Sequence, residues 1–491
     1  MSQKFILAID QSTTGTKALL INHDGEIRER CYKEHRQIHP QTGWAEHDPM
    51  EILNNVRELM ENLLSKSGKT AGDIECIAIT NQRETVLAWD RTTGLPVYNA
   101  IVWQCNRAGK QCEKIRQMGL EEIVNENTGL PLSEFFSAAK LKWIMDNVPE
   151  AVKLRDRGDL LCGTIDSWLV WNLSREKAHV TDYSNASRTE LFNLKELCWD
   201  RQLVDGFGLT PEMLPKVVFS DEIVGHCAID GKDIPISGLI GDSHGALFAQ
   251  NGFETGLKVT YGTGSSIMLG TGPDIKRCQG LASTVSYAYG GIVNFAIEGN
   301  INNTGATVKW LKDNLKLIDN VGVAEELATQ VSDNGGVYFV PAFGGLGAPH
   351  WQPAAKAIIC GMSFDTDRRH VVRATLESIA YQIADVVAVL EQNSGIFIES
   401  LKVDGKPTEN DFLMKFQAGI TGKKIVKNRV EEASAYGSAL MAGLASGYWS
   451  REDIGNLIKH KDVIKPEMPE SQKEVLLAGW HEAIKLSIGI K

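Results

Sequence analysis

Apolar residues fall in short unbroken blocks near the start of the chain: Phe5-Ile6-Leu7-Ala8-Ile9, then residues 18–21. Blocks this short, apolar at every position, predict strands buried on both faces. Between them lies Asp10-Gln11-Ser12-Thr13-Thr14-Gly15-Thr16-Lys17, a small-polar turn with an acid on one side and Lys17 on the other. The same figure of strand, small-polar turn and strand returns at residues 259–270, around Gly262-Thr263-Gly264-Ser265-Ser266. Just before it, residues 234–240 predict a strand that runs into Gly241-Asp242-Ser243-His244-Gly245 and then a helix. A pattern repeated half a chain apart predicts a duplicated α/β architecture.

Other segments fill in the plan. Asp48-Pro49-Met50-Glu51 marks a helix start, with Asp as N-cap and Pro at the first helical position. Residues 74–79 predict a strand that delivers Arg83 and Glu84 at its C-terminal end, where ligands of open α/β sheets gather. Trp103 follows a further strand. Phe135, Phe136, Lys140, Trp143 and Asp146 predict a helix whose stripe is mostly core. Residues 181–188 predict a polar loop, and residues from Gly299 a loop followed by a helix with Gly305 at its start. Apolar spacing over residues 367–392 predicts a long packing helix. Ala and Gly over residues 435–448 suit close helix contact.

At 491 residues the chain exceeds one ordinary core, so two domains are expected, here 1–249 and 250–491. With 43% hydrophobic and 23% charged residues it has a globular composition. A net charge of −11 argues against sequence-independent nucleic-acid binding. No apolar run is long enough to span a bilayer. The nine cysteines are scattered, without a C-x-x-C pair, which implies free thiols in a reducing, cytoplasmic compartment.

The candidate chemistry follows from residue types. Asp242 can accept a proton, and the Gly, Thr and Ser turns offer N–H and hydroxyl donors to an anion. Arg83 beside Glu84 is either an exposed ion pair worth little or a donor fork and acceptor for adjacent hydroxyls. Gly241-Asp242-Ser243-His244-Gly245 also fits the G-x-S-x-G elbow of serine hydrolases, although no oxyanion motif of the HGGG kind precedes it. A P-loop scaffold is excluded, since no Walker A pattern occurs.

Taken together, Asp10-Gln11, Gly43-Trp44-Ala45-Glu46-His47-Asp48-Pro49, residues 80–85, Trp103-Gln104-Cys105, residues 181–189, Gly241-Asp242, residues 261–264 and Arg373-Ala374-Thr375-Leu376-Glu377-Ser378-Ile379-Ala380 resemble the FGGY carbohydrate kinases. Within them the glycerol kinases are the most similar branch. The resemblance covers essentially the whole chain. It implies two actin-like (ribonuclease H-like) ATPase domains with an interdomain cleft, the first binding polyol or sugar and the second nucleotide. Asp242 would be the general base. Arg83, Glu84, Trp103, Phe135, Ser243 and Ser266 would surround the substrate with it. Thr13, Thr14, Lys17, Gly262, Thr263, Gly264, Gly305, Lys309, Gly405 and Asn410 would contact ATP, and Asp10 would hold Mg²⁺ through water. A homo-oligomer is a further implication. A non-catalytic nucleotide-binding relative is the third class, against which the presence of both Asp10 and Asp242 argues.

The chain departs from that pattern in places. Phe135 stands where glycerol kinases carry Tyr, Ser243 where they carry Gln, and Ser266 where they carry Phe. Lys17 replaces an Arg, and Lys406 a glycine. These changes predict a wider pocket, with a four- or five-carbon polyol or ketose competing with glycerol.

Overall fold

The computed structural model describes residues 4–428, 432–458 and 460–490. Two mixed sheets organise it. The first contains β1 (Phe5–Gln11), β2 (Gly15–Ile21), β3 (Ile27–Glu34), β4 (Ile74–Asn81), β5 (Gly225–Ile229) and β6 (Lys232–Gly241), in the order β5-β6-β4-β1-β2-β3. The second contains β7 (Leu257–Tyr261), β8 (Ser265–Gly272), β9 (Ala282–Tyr289), β10 (Ile292–Ile301), β11 (Ser400–Asp404), β12 (Lys424–Asn428) and β13 (His460–Ile464), in the order β9-β10-β8-β7-β11-β12-β13. β1 pairs antiparallel with β2 and parallel with β4. β7 pairs antiparallel with β8 and parallel with β11. The expected duplication is therefore present strand for strand around the two small-polar turns.

Helices cover both sheets. They include α1 (Pro49–Ser67), α2 (Ser137–Asn147), α3 (Asp242–Asn251), α4 (Gly305–Asp313), α5 (Arg368–Ser394), α6 (Asp411–Thr421), α7 (Ala433–Ala445) and α8 (Arg451–Leu457). α1 begins as its sequence predicts: Asp48 accepts from the N–H groups of Met50 and Glu51, Pro49 opens the helix, and Gly68 closes it with φ 65°. Such a cap is worth about 1 kcal/mol. α5 matches the long packing helix, its residues from Val372 to Leu390 joining the core of the second sheet.

The Ala/Gly-rich segment does what its composition suggests, in an unexpected place. α7 lies on the first sheet, not the second. Ala433, Ala435, Tyr436, Ala439 and Leu440 pack with Ile6, Ala8, Leu19, Ile21 and Ile240. α7 also crosses α3 so closely that a Cβ on Gly437 would sit 1.9 Å from the Gly245 carbonyl oxygen.

Three local expectations change. Phe135 and Phe136 precede α2 instead of lying on it. Residues 181–188 form a short strand and a four-residue helix, fully packed apart from Tyr183, because Asp182 satisfies the N–H groups of Ser184 and Asn185. Gly299 belongs to β10, which continues to Ile301 before the loop begins.

Candidate active site

Asp242 sits at the first position of α3, where β6 ends, and its carboxylate is one-third exposed. A negative charge there suits the helix N-terminus. Oδ1 accepts from the Ser243 N–H at 2.6 Å and from Arg83 Nε at 2.9 Å. Oδ2 accepts from no protein donor among the described residues. One oxygen is thus fixed and the other is free to receive a proton.

Arg83 and Glu84 follow β4 in a tight turn closed by the Thr85 N–H on the Arg83 carbonyl at 2.7 Å. Glu84 holds a left-handed φ of 61°, a strained conformation for a residue with a Cβ. Gly241 lets the Arg83 stem approach, since a Cβ there would meet Arg83 Cγ and Cδ at 2.8 Å. The two side chains are buried and do not pair with each other, so the reading as an exposed ion pair is set aside. Arg83 reaches Asp242, Ser243 and Glu298, while Glu84 Oε1 accepts from Arg188 Nε at 2.7 Å.

Glu298, Arg188 and Lys258 are site residues that motif spacing missed. Glu298 projects from β10 with its side chain fully buried. Its Oε1 accepts from Arg83 Nη2 at 2.8 Å and from Ser266 Oγ at 3.0 Å. Its Oε2 accepts from Arg83 Nη1 at 3.1 Å and forms an ion pair with Arg188 Nη1 at 2.9 Å. Burial favours protonation of Glu298, yet Arg188 and Arg83 overcome it and hold the carboxyl well below the usual range. Lys258 Nζ lies 3.3 Å from Ser266 Oγ, and burial lowers it to about 8 against the pull of Asp404 and Glu298. Both serine hydroxyls expected at the substrate, Ser243 and Ser266, are engaged by this network.

Trp103 and Phe135 meet edge to face at 5.5 Å beside it, and Trp103 Nε1 donates to Thr13 Oγ1 at 2.9 Å. That bond ties the aromatic wall to the first small-polar turn. The turn itself is closed by the Ser12 N–H and hydroxyl, both donating to the Gly15 carbonyl at 2.9 Å. The second turn is closed by the Gly262 N–H on the Gly264 carbonyl at 2.8 Å. Among the described residues, the N–H groups of Thr13, Thr14, Thr263 and Gly264 donate to no protein acceptor. Rows of free donors at turns are anion cradles.

Asp10 is the penultimate residue of β1, beside the first turn. It is buried, its Oδ1 has no partner, and burial together with Asp242 and Glu432, opposed by Lys17, pushes it up to about 7. A buried carboxylate with a bare oxygen beside a phosphate cradle fits a hard, partly hydrated cation such as Mg²⁺. Lys17 faces Asp10 across the β1–β2 ladder, and its ammonium donates to Glu432 Oε2 at 2.6 Å. Its charge is therefore shared with the segment that enters α7.

The remaining predicted contacts lie on the second sheet's side. Gly305 opens α4 with its N–H on the Gly262 carbonyl at 3.0 Å, where a Cβ would stand 2.5 Å from that oxygen. Gly262, Thr263, Gly305 and Lys309 line a cavity of about 490 Å³. A second cavity, of about 590 Å³, adjoins it at Gly305 and is lined by Glu325, Leu376, Ile379, Lys406 and Asn410. Asn410 also caps α6, its side chain accepting the Leu413 N–H at 2.8 Å. Gly405, just before Lys406, turns the chain at φ 96° after β11.

The hydrolase alternative loses its geometry here. Ser243 Oγ accepts from Arg83, while His244 is buried with Nε2 3.3 Å from Thr284 Oγ1. Burial holds His244 far below the usual imidazole range, and Arg83 adds to this. No histidine among the described residues stands ready to take a proton from Ser243.

Comparison with known proteins shows the family and the fold. The FGGY family of carbohydrate kinases, N-terminal domain, matches residues 5–249, and its C-terminal domain matches residues 257–446. Glycerol kinase 2 of Thermotoga maritima is 46% identical over 491 residues, covering 99% of each chain. A glycerol kinase of Caldanaerobacter subterraneus subsp. tengcongensis is 45% identical, covering 98% of each. The structure of Plasmodium falciparum glycerol kinase with ADP superposes at a TM-score of 0.92 with 34% identity, covering 100% of this chain and 99% of that one. A gluconate kinase from Lactobacillus acidophilus shares the fold at a TM-score of 0.88 and 21% identity, covering 99% of both chains. The two-domain, actin-like ATPase architecture is that of these kinases. No helix among the described residues is long and apolar enough to cross a membrane.

Proposed function

The chain belongs to the FGGY family of carbohydrate kinases and is a phosphotransferase, and on that premise we propose that it moves the terminal phosphoryl group of ATP onto a primary hydroxyl of glycerol. The observation that carries this reading is the half-free carboxylate of Asp242, fixed through Oδ1 and open at Oδ2, beside two turns with unpaired N–H donors. The names of the relatives supply glycerol as the substrate.

The chemistry follows from positions. Asp242 Oδ2 takes the hydroxyl proton as the substrate oxygen bonds to the γ-phosphorus and the bond to the β–γ bridging oxygen breaks, releasing ADP. Such a transfer asks the protein mainly for alignment and charge stabilisation. The second Nη1 hydrogen of Arg83, which Glu298 leaves open, and Glu84 Oε2, which Arg188 leaves open, would meet adjacent hydroxyls, and Trp103 with Phe135 covers the carbon chain. Thr13, Thr14, Thr263 and Gly264 present N–H groups to the phosphates. Lys309, on the wall of the cavity at Gly262, would meet them, and the adjoining cavity lined by Lys406 and Asn410 would receive the nucleoside. Asp10 would hold Mg²⁺, which when bound would supply positive charge against the phosphates.

A longer polyol or ketose is the second reading, favoured by the short side chains of Ser243 and Ser266 and the bare ring of Phe135 at the pocket. ADP release measured with ATP against glycerol, erythritol, ribulose and xylulose decides between them. Preference for glycerol supports the first reading and preference for a longer substrate the second. Release with none of them overturns both.

A further inference from the structure

We propose that Glu298 is a positioning residue for phosphoryl transfer: from the second sheet it holds the guanidinium fork of Arg83, so that Arg83 touches Asp242 through Nε alone and leaves Oδ2 of the base free. This rests on the kinase reading above. An arginine offers five N–H donors and a carboxylate two acceptor oxygens. An arginine next to a carboxylate settles into two parallel hydrogen bonds when nothing else claims its fork. Here the fork is claimed. Nη1 donates to Glu298 Oε2 at 3.1 Å and Nη2 to Glu298 Oε1 at 2.8 Å, while Nη2 also reaches Ser243 Oγ at 3.1 Å. Only Nε remains for Asp242, at 2.9 Å.

Without Glu298 the fork would turn onto Asp242 and occupy both of its oxygens. A carboxylate so held is a weak proton acceptor with no open lone pair facing the substrate. Glu298 is itself fixed from two further directions. Ser266 Oγ donates to Oε1 at 3.0 Å, and Arg188 Nη1 lies 2.9 Å from Oε2. Arg188 is anchored in turn by Glu84. Arg83 and Arg188 belong to the first half of the molecule and Glu298 to a strand of the second, 215 positions from Arg83 along the chain. The base is therefore freed only where the two halves meet.

A purely structural ion pair would show the same distances, so the test must separate the two roles. ADP release is measured with polyol and ATP for the full chain, for Glu298→Gln, for Arg83→Ala and for the double variant. Nucleotide binding and thermal melting are followed alongside. Glu298→Gln is expected to lower kcat about 100-fold with the KM for ATP unchanged. In the Arg83→Ala background the same change should cost far less, because no fork remains to be held. Equal losses in both backgrounds would overturn the proposal, as independent sites add. An unchanged kcat in Glu298→Gln would do the same. If Glu298→Gln melts below the assay temperature, Glu298→Asp takes its place in the cycle: it keeps the charge but falls one methylene short of the fork. A wild-type chain silent toward every polyol would overturn the kinase reading. An active wild type with an additive cycle overturns the role of Glu298 alone.

Discussion

In the first sheet, charge brackets the turn between β1 and β2: Asp10 stands on one side, Lys17 faces it across the ladder, and Glu432 closes the group. In the second sheet the equivalent turn, between β7 and β8, has glycine on either side of Thr263 and no ionised side chain of its own. Its neighbours come closer instead. A Cβ on Gly264 would lie 2.4 Å from the Ile301 carbonyl oxygen, and one on Gly405 would lie 1.9 Å from that of Tyr261. One backbone plan thus serves two tasks. On the proposed reading both turns would offer N–H groups to phosphate, the carboxylate beside the first would add a place for a cation, and the second, stripped to backbone, meets the start of α4.

The sharpest way to break that contrast lies on the first side. Asp242→Asn should lower kcat about 1,000-fold in an ADP-release assay while leaving nucleotide binding intact, since only the proton acceptor is lost. Asp10→Asn should cost about 100-fold and shift half-maximal activity to higher Mg²⁺ concentration, as expected for a weakened cation site. On the second side, Gly264→Ala should raise the KM for ATP about tenfold with a smaller change in kcat, because a shifted backbone misplaces donors and not the base. If Gly264→Ala instead behaves like Asp242→Asn, the division between the two turns is wrong.

The smallest effect concerns scaffold behind the first sheet. His179 packs on Trp89 at 5.3 Å, its Nε2 lies 3.0 Å from the Cys162 carbonyl oxygen, and burial lowers it to about 4. Between pH 6.5 and 4 the unfolded chain binds a proton there that the folded chain refuses. This contribution is therefore complete above pH 6.5 and is lost as the pH falls to 4, on the order of 3 kcal/mol. Thermal melts of His179→Gln should show a shallower acid decline than wild type, with ADP release at pH 7.5 little changed.

Much of this fold is legible in the amino-acid sequence alone. The apolar blocks marked β1, β2 and the strand before Asp242, because strands buried on both faces leave no polar alternation. Asp48 and Pro49 announce the start of α1 through cap chemistry that acts within its first turn. What stayed hidden was long-range. Glu298 is a lone acid inside Phe295-Ala296-Ile297-Glu298-Gly299, and Lys258 a lone base between Leu257 and Val259. A charge in the middle of an apolar strand is a signal that something opposite must compensate it, but the partner is set by how two sheets face each other, which spacing does not encode. Arg188 was concealed for the same reason, inside a segment whose polar groups satisfy one another and so resemble a surface loop.

The lodging of α7 and α8 on the first sheet has a consequence for dissecting the molecule. Ile6, Ala8, Leu19, Ile21, Cys76 and Ala78 present one continuous oily face, and residues 433–457 are its cover. A fragment ending near residue 249 would emerge from the ribosome with that face naked, and it should clump unless the distant tail is supplied as a separate peptide. Cutting the gene at its apparent seam therefore severs a lid from its box.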